Sequence, residues 1–165
     1  MPYDPERHHR RSIRLEGFDY SRVGAYFLTI CTWQRECLLG EVRDGKTLLT
    51  EAGEIAVSHW REIPVRFPTV TLDAFVVMPN HLHGILRITQ RAENAPTLGQ
   101  ILRAYKSLSG IAMNRTLGRS ERPVWQRNYY ERRIPSDTVL EAVRRYIQTN
   151  PANWDRDDEN PANAT

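Results

Sequence analysis

Residues 71–89, TLDAFVVMPNHLHGILRIT, contain two strand-like runs, and the other elements of the predicted fold are placed around them. Residues 71–78 and 81–89 are two runs rich in apolar and β-branched side chains, which are typical of strands. The Pro79-Asn80 pair between them favours a turn or break in the chain. The stretch therefore predicts two neighbouring antiparallel strands of one sheet.

The second of these strands begins with two histidines, His81 and His83. Alternate side chains of a strand share a face, and the rise of ~3.3 Å per residue puts these two about 6.6 Å apart along the backbone. Imidazoles at that spacing can bind one cation, although two ordinary half-buried histidines would give the same pattern. A metal site also needs a further ligand. The opposite face is expected to pack on helices, with Gly84 where a helix approaches closely. Its apolar members are Leu82, Leu86 and Ile88.

The flanking sequence predicts further strands and helices. Asp44-Gly45 favours a type I′ turn, Thr97 with Gln100 forms a capping box, and Ser136 can cap the last helix. The predicted elements are a strand over 25–33, a β-hairpin over 41–49, a helix from 50 to about 63 ended by Pro64 and Pro68, the two strands above, a helix from Thr97 to Gly118, a last strand or extended segment over 124–134 and a helix from Ser136 to Asn150.

Without the added hairpin and the last helix, this order is βαββαβ, which builds a ferredoxin-like antiparallel sheet with helices packed on it. The fold class is therefore predicted to be α+β. Residues 1–23 are expected to form a basic N-terminal arm, 24–151 the domain, and 152–165 a polar acidic tail.

The last predicted helix carries Tyr146 at the edge of its apolar stripe. Asn150 is four residues further on and therefore on the same face of the helix. Together they can present a hydroxyl and a carbonyl oxygen to one point. A tyrosine in such a place is more often a core residue, and an asparagine before a proline is usually a helix cap. The chemical interpretation therefore depends on combining this helix with the histidine strand.

The formal net charge is +3, and basic residues are concentrated between residues 101 and 134 and in the N-terminal arm. This distribution modestly favours a nucleic-acid partner. No apolar run approaches the roughly 20 residues needed to span a membrane, so no membrane association is predicted and a cytoplasmic location is expected.

Five segments together resemble the REP-associated tyrosine transposases, which belong to the single-tyrosine HUH transposases. The resemblance spans roughly residues 10–151. The segments are RSIRL (11–15), YFLTICT (26–32), VMPNHLHG (77–84), WQ (125–126) and YIxxNP (146–151). The resemblance implies an HUH motif at His81-Leu82-His83, a single catalytic tyrosine at Tyr146, and a third metal ligand at Asn150.

The resemblance also implies an activity and its partners. A divalent ion, Mg²⁺ or Mn²⁺, would serve a single-strand DNA endonuclease and strand transferase that forms a 5′-phosphotyrosine intermediate. Similar proteins bind palindromic DNA hairpins with an adjacent single strand. Candidate DNA-contacting residues here are Arg10, Arg11, Arg14, Lys106, Arg127, Arg132 and Arg133 for phosphate, and Tyr129 and Tyr130 for stacking on bases.

Two other functions remain open from the sequence. One is a nucleic-acid-binding ferredoxin-like domain without catalysis, and the other is a metal-dependent phosphodiesterase that uses water as its nucleophile. The sequence is also compatible with a monomer or a homodimer, in which Tyr146 would serve its own or its partner's histidines.

Overall fold

The computed structural model describes residues 23–164, so the predictions for Arg10, Arg11 and Arg14 lie outside the described residues. The strands and helices in this range are β1 (Gly24–Cys31), β2 (Gly40–Arg43), β3 (Lys46–Leu49), α1 (Glu51–Arg61), α2 (Ile63–Arg66), β4 (Val70–Met78), β5 (His81–Ile88), α3 (Leu98–Thr116), β6 (Tyr130–Ile134) and α4 (Asp137–Thr149). Short 3₁₀ segments lie at Trp33–Arg35, Pro151–Arg156 and Pro161–Asn163.

The main sheet has the strand order β4-β5-β1-β6, and every neighbouring pair is antiparallel. With α1 after β1 and α3 after β5, this is the predicted ferredoxin-like α+β arrangement, which is confirmed. β2 and β3 form a separate hairpin. Its turn residues Asp44 and Gly45 both have positive φ, 49° and 71°, as a type I′ turn requires.

The predicted helix starts are confirmed by their hydrogen bonds. Thr97 and Gln100 form a reciprocal capping box, and the Ser136 hydroxyl accepts from the backbone N–H of Val139. The predicted end at Pro64 is wrong, because α1 already ends at Arg61. Pro64 instead lies in the first turn of α2, where its missing N–H removes no helical hydrogen bond.

Only the last part of the predicted strand or extended segment over 124–134 is a strand. β6 begins at Tyr130, and the preceding segment contributes a single bridge between Trp125 and Thr32. The chain then leaves the sheet at Arg127, whose carbonyl accepts a hydrogen bond from the Lys106 ammonium of α3 at 2.8 Å.

Helices cover both faces of the sheet. α1 and α3 pack on one face through the larger apolar core, and α4 packs on the other through Leu140 and Ile147, which contact Ile85 and Ile134. Among the described residues, no helix is both long and apolar enough to cross a bilayer.

Gly84 lies on the larger core face, as predicted, but its close neighbour is a side chain and not a helix backbone. A Cβ added at Gly84 would lie 2.5 Å from Cζ2 of Trp60, which is fully buried. The Trp60 ring also packs edge-on against Tyr105 of α3 at 5.4 Å between centroids. The indole of α1 thus occupies the space that the glycine leaves open.

Substituting Gly84→Ala should therefore destabilise the fold. The new methyl group would force the Trp60 ring out of a packed core, at a cost of about 1–3 kcal/mol. Gly110→Ala is the matched control: its Cβ would meet Val124 at an ordinary 3.8 Å inside helix α3, so it should be neutral or stabilising. Urea unfolding of both variants measures the difference. Equal stability of the two would contradict the packing described for Gly84.

Candidate functional site

His81 and His83 lie at the start of β5 on the face covered by α4, and both are buried. Their neighbours on β1 are Cys31 and Thr29 respectively. The two Nε2 atoms are 3.1 Å apart. For comparison, two nitrogen ligands at about 2.1 Å from an octahedral ion and at right angles would be about 3.0 Å apart. The pair therefore has a spacing that fits one divalent cation.

The other ring nitrogens are held by hydrogen bonds that orient the imidazoles. His81 Nδ1 is 2.8 Å from Asn80 Oδ1, and His83 Nδ1 is 2.8 Å from the hydroxyl of Thr29. The Asn80 amide N–H₂ donates to the carbonyls of Glu159 and Arg35 at 2.7 and 3.2 Å, so its oxygen faces His81 and accepts from Nδ1–H. The lone pair of His81 Nε2 is then available to a metal ion, which is the usual arrangement of a metal-ligating histidine.

Asp157 is the third group of this cluster. Its Oδ2 is 3.7 Å from His81 Nε2, and the ligand atoms of Asp157, His81 and His83 all lie within 4.8 Å of one another. The backbone N–H of Glu159 donates to Asp157 Oδ1 at 2.8 Å, which anchors the carboxylate. Asp157 was not predicted from the sequence. A 3₁₀ segment separates it from α4, and no periodic pattern relates it to the histidine strand.

Asn150, the predicted third ligand, is at the C-terminal cap of α4 and only 4% exposed. Its Oδ1 accepts no hydrogen bond within the described part of the chain. A buried carbonyl oxygen without a donor costs about 1–3 kcal/mol, so its environment favours a cationic partner. The His81, His83 and Asp157 group could hold a divalent metal ion. The role of Asn150 as a ligand stays a prediction.

Tyr146 is placed beside the histidines by α4. Its ring centroid is 5.3 Å from that of His83 and 6.0 Å from that of Phe27, while 48% of the residue remains exposed. Phe27 in turn stacks on His83 at 5.5 Å. A single chain thus brings a half-exposed phenol next to the histidine pair, with solvent access on its outer side.

The predicted basic contacts differ in their position relative to this site. Arg132 pairs with Phe27 in the sheet and therefore shares the histidine face, and Arg127 is exposed on the loop before β6. Arg133 points to the opposite face, beside Gly24. Lys106 donates to the Arg127 carbonyl and lies 5.8 Å from the Tyr129 ring centroid, and burial lowers its pKa to about 8.

Comparison with known proteins finds a relative of this chain at the level of sequence. No family model matches the chain. An uncharacterized protein of Haemophilus influenzae is 38% identical over 173 residues, which cover 94% of this chain and 95% of that protein.

Two solved structures share the fold at low sequence identity. A REP-associated tyrosine transposase bound to a REP hairpin has a TM-score of 0.61 and 20% identity, over 86% of this chain and 74% of that chain. A candidate transposase of Deinococcus radiodurans R1 has a TM-score of 0.52 and 19% identity, over 82% of this chain and 96% of that chain. The ferredoxin-like sheet described above is therefore the fold of these transposase structures.

Removing the Asp157 carboxylate should weaken metal binding. We expect Asp157→Asn to lower the affinity for Mn²⁺ by at least about tenfold and His81→Ala to abolish binding, because each variant removes a donor from the cluster. Asp155→Asn, which changes an exposed carboxylate two residues earlier, is the control and should bind like wild type. Isothermal titration calorimetry measures all three affinities. Wild-type affinity in Asp157→Asn would remove Asp157 from the ligand set.

Proposed function

This chain belongs to one family with the uncharacterized Haemophilus influenzae protein, and we propose that it is a metal-dependent single-strand DNA endonuclease and strand transferase of the transposase type. In this proposal Tyr146 is the nucleophile and the His81–His83 pair holds the metal ion.

One observation carries the proposal. A half-exposed tyrosine lies against a pair of buried histidines whose Nε2 atoms face each other at 3.1 Å, and all three residues come from one chain. A metal ion at the histidines and a phosphate between that ion and Tyr146 would bring the nucleophile and the electrophile together. In this arrangement Tyr146 would act beside the histidines of its own chain.

The reaction is a transesterification at phosphorus. The Tyr146 oxygen forms a bond to the phosphorus of a DNA phosphodiester while the bond to the 3′-oxygen breaks, which leaves a 5′-phosphotyrosine and a free 3′-OH. The phenol proton leaves to solvent, and the departing 3′-oxygen takes up a proton from solvent; Tyr146 is about half exposed. A bound divalent ion would act as a Lewis acid on the phosphate. Since the phosphotyrosine bond conserves the energy of the phosphodiester, a later 3′-OH can rejoin the strand.

The DNA partner is proposed from charge and from the solved relative. One structure of the same fold is bound to a REP hairpin. Here Arg132 is exposed on the histidine face of the sheet, and Arg127 is exposed on the loop before β6. We propose that a single strand next to a DNA hairpin reaches His83 past Arg132. Arg10, Arg11, Arg14 and Arg133 remain candidates for contacts to the hairpin itself.

The two competing functions make different demands on this face. A binding domain without catalysis would use the open sheet surface for stacked bases, but here α4 covers that surface. A phosphodiesterase that uses water would keep the histidine cluster but would have no need for a tyrosine next to it. The placement of Tyr146 favours the transesterification.

Replacing the proposed nucleophile separates these functions. Tyr146→Phe should abolish cleavage of end-labelled single-stranded DNA while DNA binding survives, because only the hydroxyl is lost. The matched control is Gln148→Ala, an exposed residue about 200° around the same helix, which should cleave normally. A denaturing gel should show label on the 3′ portion of the cut strand bound to wild-type protein. Cleavage by Tyr146→Phe, or a free 5′-phosphate product without an adduct, would support the water mechanism instead.

A further inference from the structure

Strand β4 contains an irregularity directly beneath helix α4. Its pairing with β5 runs Leu72 to Leu86 and Phe75 to Gly84, so Asp73 and Ala74 stand opposite the single residue between them, Ile85. Such a β-bulge redirects a side chain without disturbing the rest of the strand. Here Ala74 packs in the small core under α4, and Asp73 reaches the helix.

The Asp73 carboxylate binds two arginines from different elements. Arg144 of α4 donates from Nε to Oδ1 at 2.8 Å and from Nη2 to Oδ2 at 2.7 Å, which is the forked, bidentate geometry. Arg87 of β5 donates from Nε and Nη2 to Oδ2 at 3.2 and 2.9 Å. The hydrogen bonds from Arg144, with those from the Ala74 amide and Arg87, hold the pKa of Asp73 well below its usual range. The carboxylate is thus ionised at neutral pH.

The salt bridge between Asp73 and Arg144 can restrain rotation of α4 about its own axis, which apolar packing restrains only weakly. Leu140 and Ile147 attach α4 to the sheet, but burial of apolar surface is non-directional, so it restrains rotation of a helix about its own axis weakly. A forked salt bridge is directional. Arg144 lies on the same side of α4 as these two residues, at i+4 from Leu140 and i−3 from Ile147.

A small rotation of α4 would displace the tyrosine hydroxyl substantially. The hydroxyl of a tyrosine lies about 9 Å from the helix axis, so a rotation of about 10° moves it about 1.5 Å. Misplacement of a reacting group by about 1 Å can cost about 100-fold in rate. A rotation of α4 would also change the edge-on contacts of the Tyr146 ring with His83 and Phe27, at 5.3 and 6.0 Å between centroids.

We propose that Asp73 is a positioning residue for Tyr146. Its salt bridge with Arg144 sets the rotation of α4 about its axis, and this rotation sets the position of the Tyr146 hydroxyl relative to the histidine pair. This inference rests on the proposed function of Tyr146. It assigns a task in the reaction to a carboxylate whose salt bridges are made with Arg87 and Arg144.

The test compares two partners of the same carboxylate. Asp73→Asn should lower the single-turnover cleavage rate at saturating DNA by about 10- to 100-fold with unchanged affinity for DNA and Mn²⁺. Arg87→Gln removes the other arginine and leaves the Asp73–Arg144 fork intact, so it should cleave at the wild-type rate even if its melting temperature falls. Arg144→Lys keeps the charge without the fork and should resemble Asp73→Asn, which covers the case that Asp73→Asn does not fold.

A second readout does not depend on cleavage. 3-Fluorotyrosine placed at position 146 reports its distance from Mn²⁺ bound at the histidines through the paramagnetic relaxation of its ¹⁹F signal. The relaxation rate should change in Asp73→Asn and Arg144→Lys and stay the same in Arg87→Gln. Equal rate losses in Asp73→Asn and Arg87→Gln, or an unchanged ¹⁹F relaxation in Asp73→Asn, would overturn the positioning role.

The two proposals can fail separately. If wild-type protein forms no adduct with DNA, the proposed function fails, while the ¹⁹F measurement still decides whether Asp73 sets the position of Tyr146. If wild-type protein forms the adduct and Asp73→Asn forms it equally fast, only the positioning role fails.

Discussion

The contact between Gly84 and the Trp60 indole decides which side of β5 faces the helical core. Gly84 has no Cβ, and the Trp60 ring fills the space that a Cβ would take. A Cβ at Gly84 would lie 2.5 Å from the ring. Because side chains alternate along a strand, a shift of one residue would exchange the two faces completely. His81 and His83 would then point into the core between the sheet and α1. The chemistry of one face thus depends on packing at the other.

Parts of the chain that follow the ferredoxin-like core cover the face of the sheet that carries His81 and His83. α4 contributes Tyr146, and the segment after it contributes Asp157. Asn80 connects these parts, since its amide donates to the Glu159 carbonyl while its oxygen accepts from His81. The histidine rings are therefore oriented by a hydrogen-bond network that includes the C-terminal segment, and movement of that segment would change the ligand cluster and the ring orientation together.

Sequence likeness and fold likeness support different levels of the functional assignment. The 38% identity to the Haemophilus influenzae protein places both chains in one family, and that relative is itself uncharacterized. The transposase structures share the fold at about 20% identity, which by itself supports no reaction. The proposed chemistry comes from the geometry of this chain, in which the tyrosine lies next to the two histidines. At the cap of the same helix, the Asn150 amide oxygen is buried and accepts no hydrogen bond from residues 23–164.

Local pattern in the sequence determined most of the architecture. Strand alternation placed His81 and His83 on one face, the Asp44-Gly45 pair predicted its turn, and capping residues predicted the starts of α3 and α4, because each of these signals acts over a few neighbouring residues. Only the tertiary structure decided where β6 starts and that the Trp60 indole packs against Gly84. It also decided that Asp157 lies beside the histidines and that Asp73 forms a salt bridge with Arg144. Those features join residues far apart in the chain, such as the 71 positions between Asp73 and Arg144. No short-range periodicity encodes such distances, and only the packed sheet brings the partners together.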